Sequence, residues 1–229
     1  MAAVIEAMPA LAIILLFAGC AVNRTPPITR IALLAPFEGR YREVGYQALY
    51  AARMAIAETG RIDLELLAID DGGSVETAID RAAALNNDPL VAVVLVMGPH
   101  PTDEQVTSIL EKPALLVGEW VDEEITALAE RDEPFTCGSV CLLPSFSLLA
   151  DDSTLVTIEV TAPPVDPDFR EQYINFDQFV PEPLPIALQS YDAAQHAITI
   201  INGENAPVDF ASDTYTYTYT PDGELTLVE

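Results

Sequence analysis

The side chains able to carry chemistry here are few: the pair Asp70-Asp71, two histidines (His100 and His196), and three cysteines (Cys20, Cys137 and Cys141). Adjacent carboxylates leaving a strand hold Mg²⁺ in phosphoryl-transfer folds, but Gly72-Gly73 follows and no lysine lies nearby. Asp70, Asp71 and Asp192 therefore read as strand-exit and capping residues. The two histidines are far apart in sequence, and no Gly-x-Ser-x-Gly elbow, P-loop or Gly-x-Gly-x-x-Gly turn occurs. Cys137 and Cys141 form a C-x3-C pair without neighbouring histidines, short of the four ligands zinc needs. A small-loop disulfide and two free thiols both stay open for them. The residue types favour no enzyme, no metal and no cofactor.

Cys20 is different because of what precedes it. An aliphatic run over 10–17 ends in Ala18-Gly19-Cys20, and Arg24-Thr25-Pro26-Pro27 follows as a polar tether. A membrane span needs about 20 apolar residues, whereas a secretory signal has a shorter apolar core closed by small residues. The stretch Phe17-Ala18-Gly19-Cys20 resembles the lipobox of bacterial lipoproteins, in which cleavage makes the cysteine N-terminal and lipid is attached to it. That resemblance implies a signal peptide over 1–19, a tether over 20–27, and a cell-membrane location on the extracytoplasmic face, anchored through Cys20. The other reading is a buried helix with an inert thiol.

Half of the chain is hydrophobic, enough for a sizeable core. The formal net charge is −26, and Lys112 is the only lysine, beside nine arginines. Such a chain repels nucleic acid and gains no pull toward anionic headgroups.

From residue 28 two textures alternate. The runs 28–36, 63–70, 90–97 and 113–118 are apolar, as strands buried on both faces are. Between them, helices are predicted over 46–58, from Ser74 as N-cap onward, and from Thr102 as N-cap to Glu111. Strands alternating with helices through short loops predict an open parallel sheet, flavodoxin-like, with helices on both faces. Residues 121–153 break the rhythm. A fifth strand is expected over 154–160, beside the fourth. Helices follow from Asp166 or Asp168 and over 186–201, the latter with Leu188, Tyr191, Ala194, Ile198 and Ile201 inward. The tail over 208–229 alternates across Pro221-Asp222-Gly223 as a β-hairpin.

The segments Ile31-Ala-Leu-Leu-Ala-Pro-Phe-Glu-Gly39, Tyr41-Arg-Glu-Val-Gly45 and Ala51-Ala-Arg-Met-Ala55 resemble the opening of type I periplasmic binding proteins of the branched-chain amino-acid receptor family. Ile69-Asp-Asp-Gly-Gly73, Asn87-Asp-Pro89, Val96-Met-Gly-Pro99, the stretch 161–173 and Ser190-Tyr-Asp-Ala193 continue the likeness. It covers about 28–119 and 154–202, all of it belonging to the first of the family's two lobes. The domain over 28–207 is thus expected to be a single lobe, with 121–153 a reduced insertion in place of the second. The resemblance implies a solute-binding component of an ABC transporter, partnered by a permease and taking an amino acid or similar small polar solute. The alternative is a single-lobe adaptor or sensory protein that docks on a membrane or receptor partner and binds no small molecule.

Ligands of open parallel sheets sit beyond the carboxyl ends of the strands. Turns 38–45, 98–102 and 118–120 lie at that edge. By the resemblance, Tyr41 falls where the family has an aromatic over the ligand, and His100 and Thr102 fall in a turn that supplies polar contacts. Glu119 and Trp120 stand where the family presents a short Ser/Ala/Thr run. Each has a plainer role open to it: Tyr41 as a loop staple, Thr102 as a cap, and His100 and Trp120 as packing.

Overall fold

The computed structural model describes residues 27–120, 135–136, 141–142, 157–160, 165–204, 215–219 and 225–227. The apolar runs form four strands: β1 (Thr29–Ala35), β2 (Leu64–Asp70), β3 (Val91–Val96) and β4 (Ala114–Leu116). They pair in the order β2-β1-β3-β4, every pair parallel. This is the open parallel, flavodoxin-like sheet that the alternation predicts. The order places the topological switch point between β1 and β3, where ligands of such sheets bind.

Both faces of the sheet are covered. Ile31, Leu33, Ala35, Val93, Leu95 and Met97 point to one face, where α1 (Arg42–Glu58) and α5 (Pro185–Ile201) lay down Ala48, Ala52, Ala55, Ile186, Ala193, Ala194 and Ala197. The intervening residues Ala32, Leu34, Val94 and Val96 meet α2 (Val75–Asn87) and the single turn α3 (Glu104–Thr107) through Ala78, Ala82, Leu85 and Val106. Period-two alternation along β1 thus feeds two cores. Each fully buried Leu or Val contributes about 1.5–3 kcal/mol relative to exposure. The alanine-rich faces of α1 and α5 let the helices approach closely. A third cluster seats α4 (Pro167–Phe176) against α1, through Phe169 and Tyr173 on Ala51, Met54 and Ala187.

Several sequence expectations need correction. Helix α1 starts at Arg42 rather than at 46, because Gly45 is a helical residue and not a loop marker. Its missing side chain is required: a Cβ there would lie 1.9 Å from the carbonyl oxygen of Pro36. Helix α3 is one turn long, and Asp103, not Thr102, is its N-cap, its carboxylate accepting from the Gln105 N–H at 2.8 Å. The inward face of α5 is Ile186, Ala187, Ser190, Ala193, Ala194, Ala197 and Ile198, while Leu188, Tyr191 and Ile201 are half-buried. Asp192 lies inside α5 and caps nothing.

The fifth strand does not join the parallel sheet. β8 (Thr157–Val160) pairs in parallel with β6 (Phe135–Thr136) and antiparallel with β9 (Tyr215–Tyr219), which pairs in turn with β10 (Leu225–Leu227). The tail hairpin exists, and β8 takes it as its neighbour. Its alternation, with Thr157 and Glu159 between Ile158 and Val160, suits a strand with one solvated face better than a doubly covered sheet. A two-stranded parallel pair, β5 (Glu119–Trp120) with β7 (Cys141–Leu142), completes the described strands. Cys20 and Cys137 lie outside the described residues.

Candidate functional site at the carboxyl edge of the sheet

Three chain turns meet at the switch point, and glycine lets them meet. After β1 the chain runs through Pro36 into the turn Gly39–Tyr41 and then α1. After β3 it turns at Gly98, whose φ of +95° suits no side-chain-bearing residue. A Cβ on Gly98 would stand 2.7 Å from Pro36 Cδ. Pro36 is therefore wedged between Gly45 on one side and Gly98 on the other.

The aspartates that end β2 tie these turns together. Asp70 Oδ1 accepts from the backbone N–H groups of Phe37 (2.7 Å) and Glu38 (3.2 Å), and its Oδ2 from Gly72 (2.9 Å). Asp71 is 2 % exposed; its Oδ1 accepts from Gly73 N–H, and its Oδ2 lies 2.9 Å from His100 Nδ1. One residue thus fastens the turn after β1 and the next fastens the turn after β3. Strand-exit roles were legible in the sequence. The link from Asp71 to His100, spanning 29 residues, was not.

The expected site residues fall as follows. His100 sits in the turn after β3 with a quarter of its side chain exposed. Thr102, half-buried in the same turn, donates its hydroxyl to Gly98 O at 2.6 Å and so pins the turn. Tyr41 is half-buried at the end of the neighbouring turn. The aromatic pair that staples this turn is Phe37 with Tyr46, edge to face at 5.9 Å. Glu119 and Trp120 form β5 just past the exit of β4. The structure joins His100 and Thr102 on one turn and sets Tyr41 on the adjoining one.

One further buried polar group was missed. Gln189, on α5, is buried, and its Oε1 has no hydrogen-bond partner among the described residues. It lies on the helical stripe of Ile186 and Ala193, which pack in one cluster with Val117 at the exit of β4. A buried glutamine among apolar neighbours carries no sequence signal that separates it from a satisfied one. Among the described residues, no cluster of three His, Cys, Asp or Glu could hold a metal ion. Nor is any helix among them long and apolar enough to cross a membrane.

This geometry can be set beside known proteins. No protein-family model and no curated protein sequence matches the chain. Solved structures do. A leucine-binding protein, LivK, from Thermotoga maritima aligns at a TM-score of 0.58 with 10 % identity, over 88 % of this chain and 98 % of that one. The chain has the type I periplasmic-binding-protein fold. The substrate-binding protein LivJ of a branched-chain amino-acid transporter from Streptococcus pneumoniae, in complex with isoleucine, aligns at 0.51 and 9 % identity, over 88 % and 99 % of the two chains. An ABC-transporter solute-binding protein from R. palustris, in complex with benzoate, aligns at 0.58 and 10 % identity, over 88 % and 95 %. These neighbours are solute-binding proteins by name. At such identities the likeness speaks for the fold alone.

Proposed function

We propose that this chain is an extracytoplasmic solute-binding protein, held on the membrane by lipid at Cys20, that hands an amino acid or similar small polar solute to an ABC permease. The observation that carries the reading is the shared fold, which spans most of this chain and nearly all of each neighbour named above. The ligand would lie over the switch point, against Tyr41, His100 and Thr102, with Glu119 and Trp120 at the exit of β4. The braced turns support this, since a preorganised edge spends little ordering entropy on binding. The neighbours' ligands, isoleucine in one and benzoate in another, share a carboxylate beside an apolar body.

Thermal-shift and calorimetric screening of the full chain against amino acids, their amides, small peptides and other carboxylates tests the reading. A ligand at 100 times its Kd adds about 2.7 kcal/mol of stability. A clean negative across the panel refutes it. Labelled palmitate that is incorporated in a bacterial host, and lost in Cys20→Ser, supports the anchor; label that survives the substitution refutes it.

A second reading has one observation in its favour: a single helix-flanked parallel sheet among the described residues. Two such lobes normally close to dry and enclose a small ligand. An adaptor that docks on a membrane or receptor protein, and takes no solute, would need no second lobe. The negative screen above, with co-purification of a membrane partner, is the outcome that selects it.

A further inference from the structure

We propose that Asp71 is a positioning residue that fixes His100 so that its Nε2 faces the ligand as a hydrogen-bond acceptor, which selects for ligands bearing an N–H group, a primary ammonium or an amide. This rests on the binding reading above and adds to it a ligand chemistry and a residue that the site itself does not touch.

The geometry is specific. Asp71 Oδ2 lies 2.9 Å from His100 Nδ1, and Oδ1 accepts from Gly73 N–H. A carboxylate only accepts, so the hydrogen between Asp71 and the ring belongs to Nδ1. In the neutral ring this leaves the lone pair on Nε2, the tautomer being set by the bond that the other nitrogen makes. Nε2 makes no hydrogen bond among the described residues. Asp71 is 2 % exposed and itself pinned to the turn after β2, so the ring has a rigid anchor.

The surroundings favour the same partner. The charged residues on the turns packed here are Glu38 and Arg40 after β1, Arg42 and Glu43 opening α1, Asp70 and Asp71 after β2, and Asp103 and Glu104 after His100. Asp70 and Asp103 already accept backbone N–H groups and stay fixed. A predominantly acidic rim, in a chain of net charge −26, attracts an ammonium and repels a bare anion.

The test has two readouts on the ¹⁵N-labelled full-length protein. Long-range ¹H–¹⁵N spectra report which nitrogen of His100 carries the hydrogen. Calorimetry compares leucine and leucinamide with 4-methylpentanoate, which has the same carbon skeleton and no nitrogen. The expected wild-type ring is protonated at Nδ1. Asp71→Ala is expected to move the hydrogen to Nε2 and to weaken leucine and leucinamide at least tenfold relative to 4-methylpentanoate. A wild-type ring protonated at Nε2 overturns the proposal without any variant. So does an Asp71→Ala protein that stays folded and loses the three ligands equally or not at all. If nothing in the panel binds, the binding reading fails together with the ligand half of this proposal, and the tautomer alone still judges the positioning half.

Discussion

Gln47 is the strongest single test of how the return of the chain to the first sheet is held. It sits in α1 with no exposure, yet its side chain is fully employed. Its Nε2 donates to Glu182 O at 2.7 Å, and its Oε1 accepts from Leu184 N–H at 3.1 Å. The glutamine thus reads the extended segment before α5 as a neighbouring strand would, with one donor and one acceptor. Tyr173 closes the arrangement by donating its buried hydroxyl to Gln47 O at 3.0 Å. Gln47→Leu keeps the volume and removes both side-chain bonds, leaving a carbonyl and an N–H partly buried without partners. At about 1–2 kcal/mol for each orphaned group, the loss should be about 2–4 kcal/mol. For a chain of this size that corresponds to a fall in Tm of about 5–15 °C. Urea unfolding followed by circular dichroism measures it, with Tyr173→Phe as the single-bond reference at about 1 kcal/mol. A Gln47→Leu protein within about 0.5 kcal/mol of wild type, less than one typical hydrogen bond, would refute the claim that this side chain docks the segment.

Gly98→Ala combines a left-handed backbone with a Cβ 2.7 Å from Pro36 Cδ, and should cost more than Gly73→Ala, where φ is +73° but the space is open. About 1–2 kcal/mol is expected at Gly73 from the backbone alone and at least about 1 kcal/mol more at Gly98 from overpacking; equal melting points would refute the wedge. Burial, and after it donation to Glu58, together push Tyr191 up to about 12. Because the folded state favours the protonated phenol, its contribution to stability is whole below the ordinary tyrosine value of about 10 and is lost as pH rises from there toward 12. Phenolate absorbance should show a late step that Tyr191→Phe removes; its persistence in that variant would assign the step elsewhere. Small-angle scattering should give a radius of gyration near about 17 Å for the chain from Cys20 onward, whereas a bilobed profile that contracts on adding ligand would refute the single-lobe reading.

The parallel sheet was legible because its two central strands, β1 and β3, are covered on both faces. Ile31–Ala35 and Val91–Val96 are unbroken apolar runs, and the observed ends of β1 and β3 fall within a residue or two of the expected ones. Ser74 was legible for the same local reason, its hydroxyl accepting from Thr77 N–H as a cap should. What the sequence hid is what depends on distant partners. Gly45 looked like punctuation because nothing local records that Pro36 O will press against it. Thr102 looked like a cap because Asp103, one residue on, competes for the same role with a better acceptor. The strand at Thr157–Val160 was recognised, but its partner was not, since an alternating strand names the kind of sheet it joins and not its neighbours. The site followed the same rule: the turns could be placed at the carboxyl edge, while the contact of Asp71 with His100 could not be read from either residue.

The way the edge is built bears on how it could work. Asp70 fixes the turn after β1 through two N–H groups and Asp71 fixes the turn after β3 through a histidine, while Pro36 is held between two glycines. None of these contacts needs a ligand. Under the binding reading, such an edge gains affinity by preorganisation and not by folding around its guest. Under that reading, discrimination rests with the few side chains carried by the braced turns. Among those placed here, His100 has the firmest support, because its anchor is buried, charged and bound from both sides. The turn after β3 is already closed by the Thr102 hydroxyl and backbone on Gly98 O, so the bond from Asp71 adds a fixed ring to a turn that holds without it.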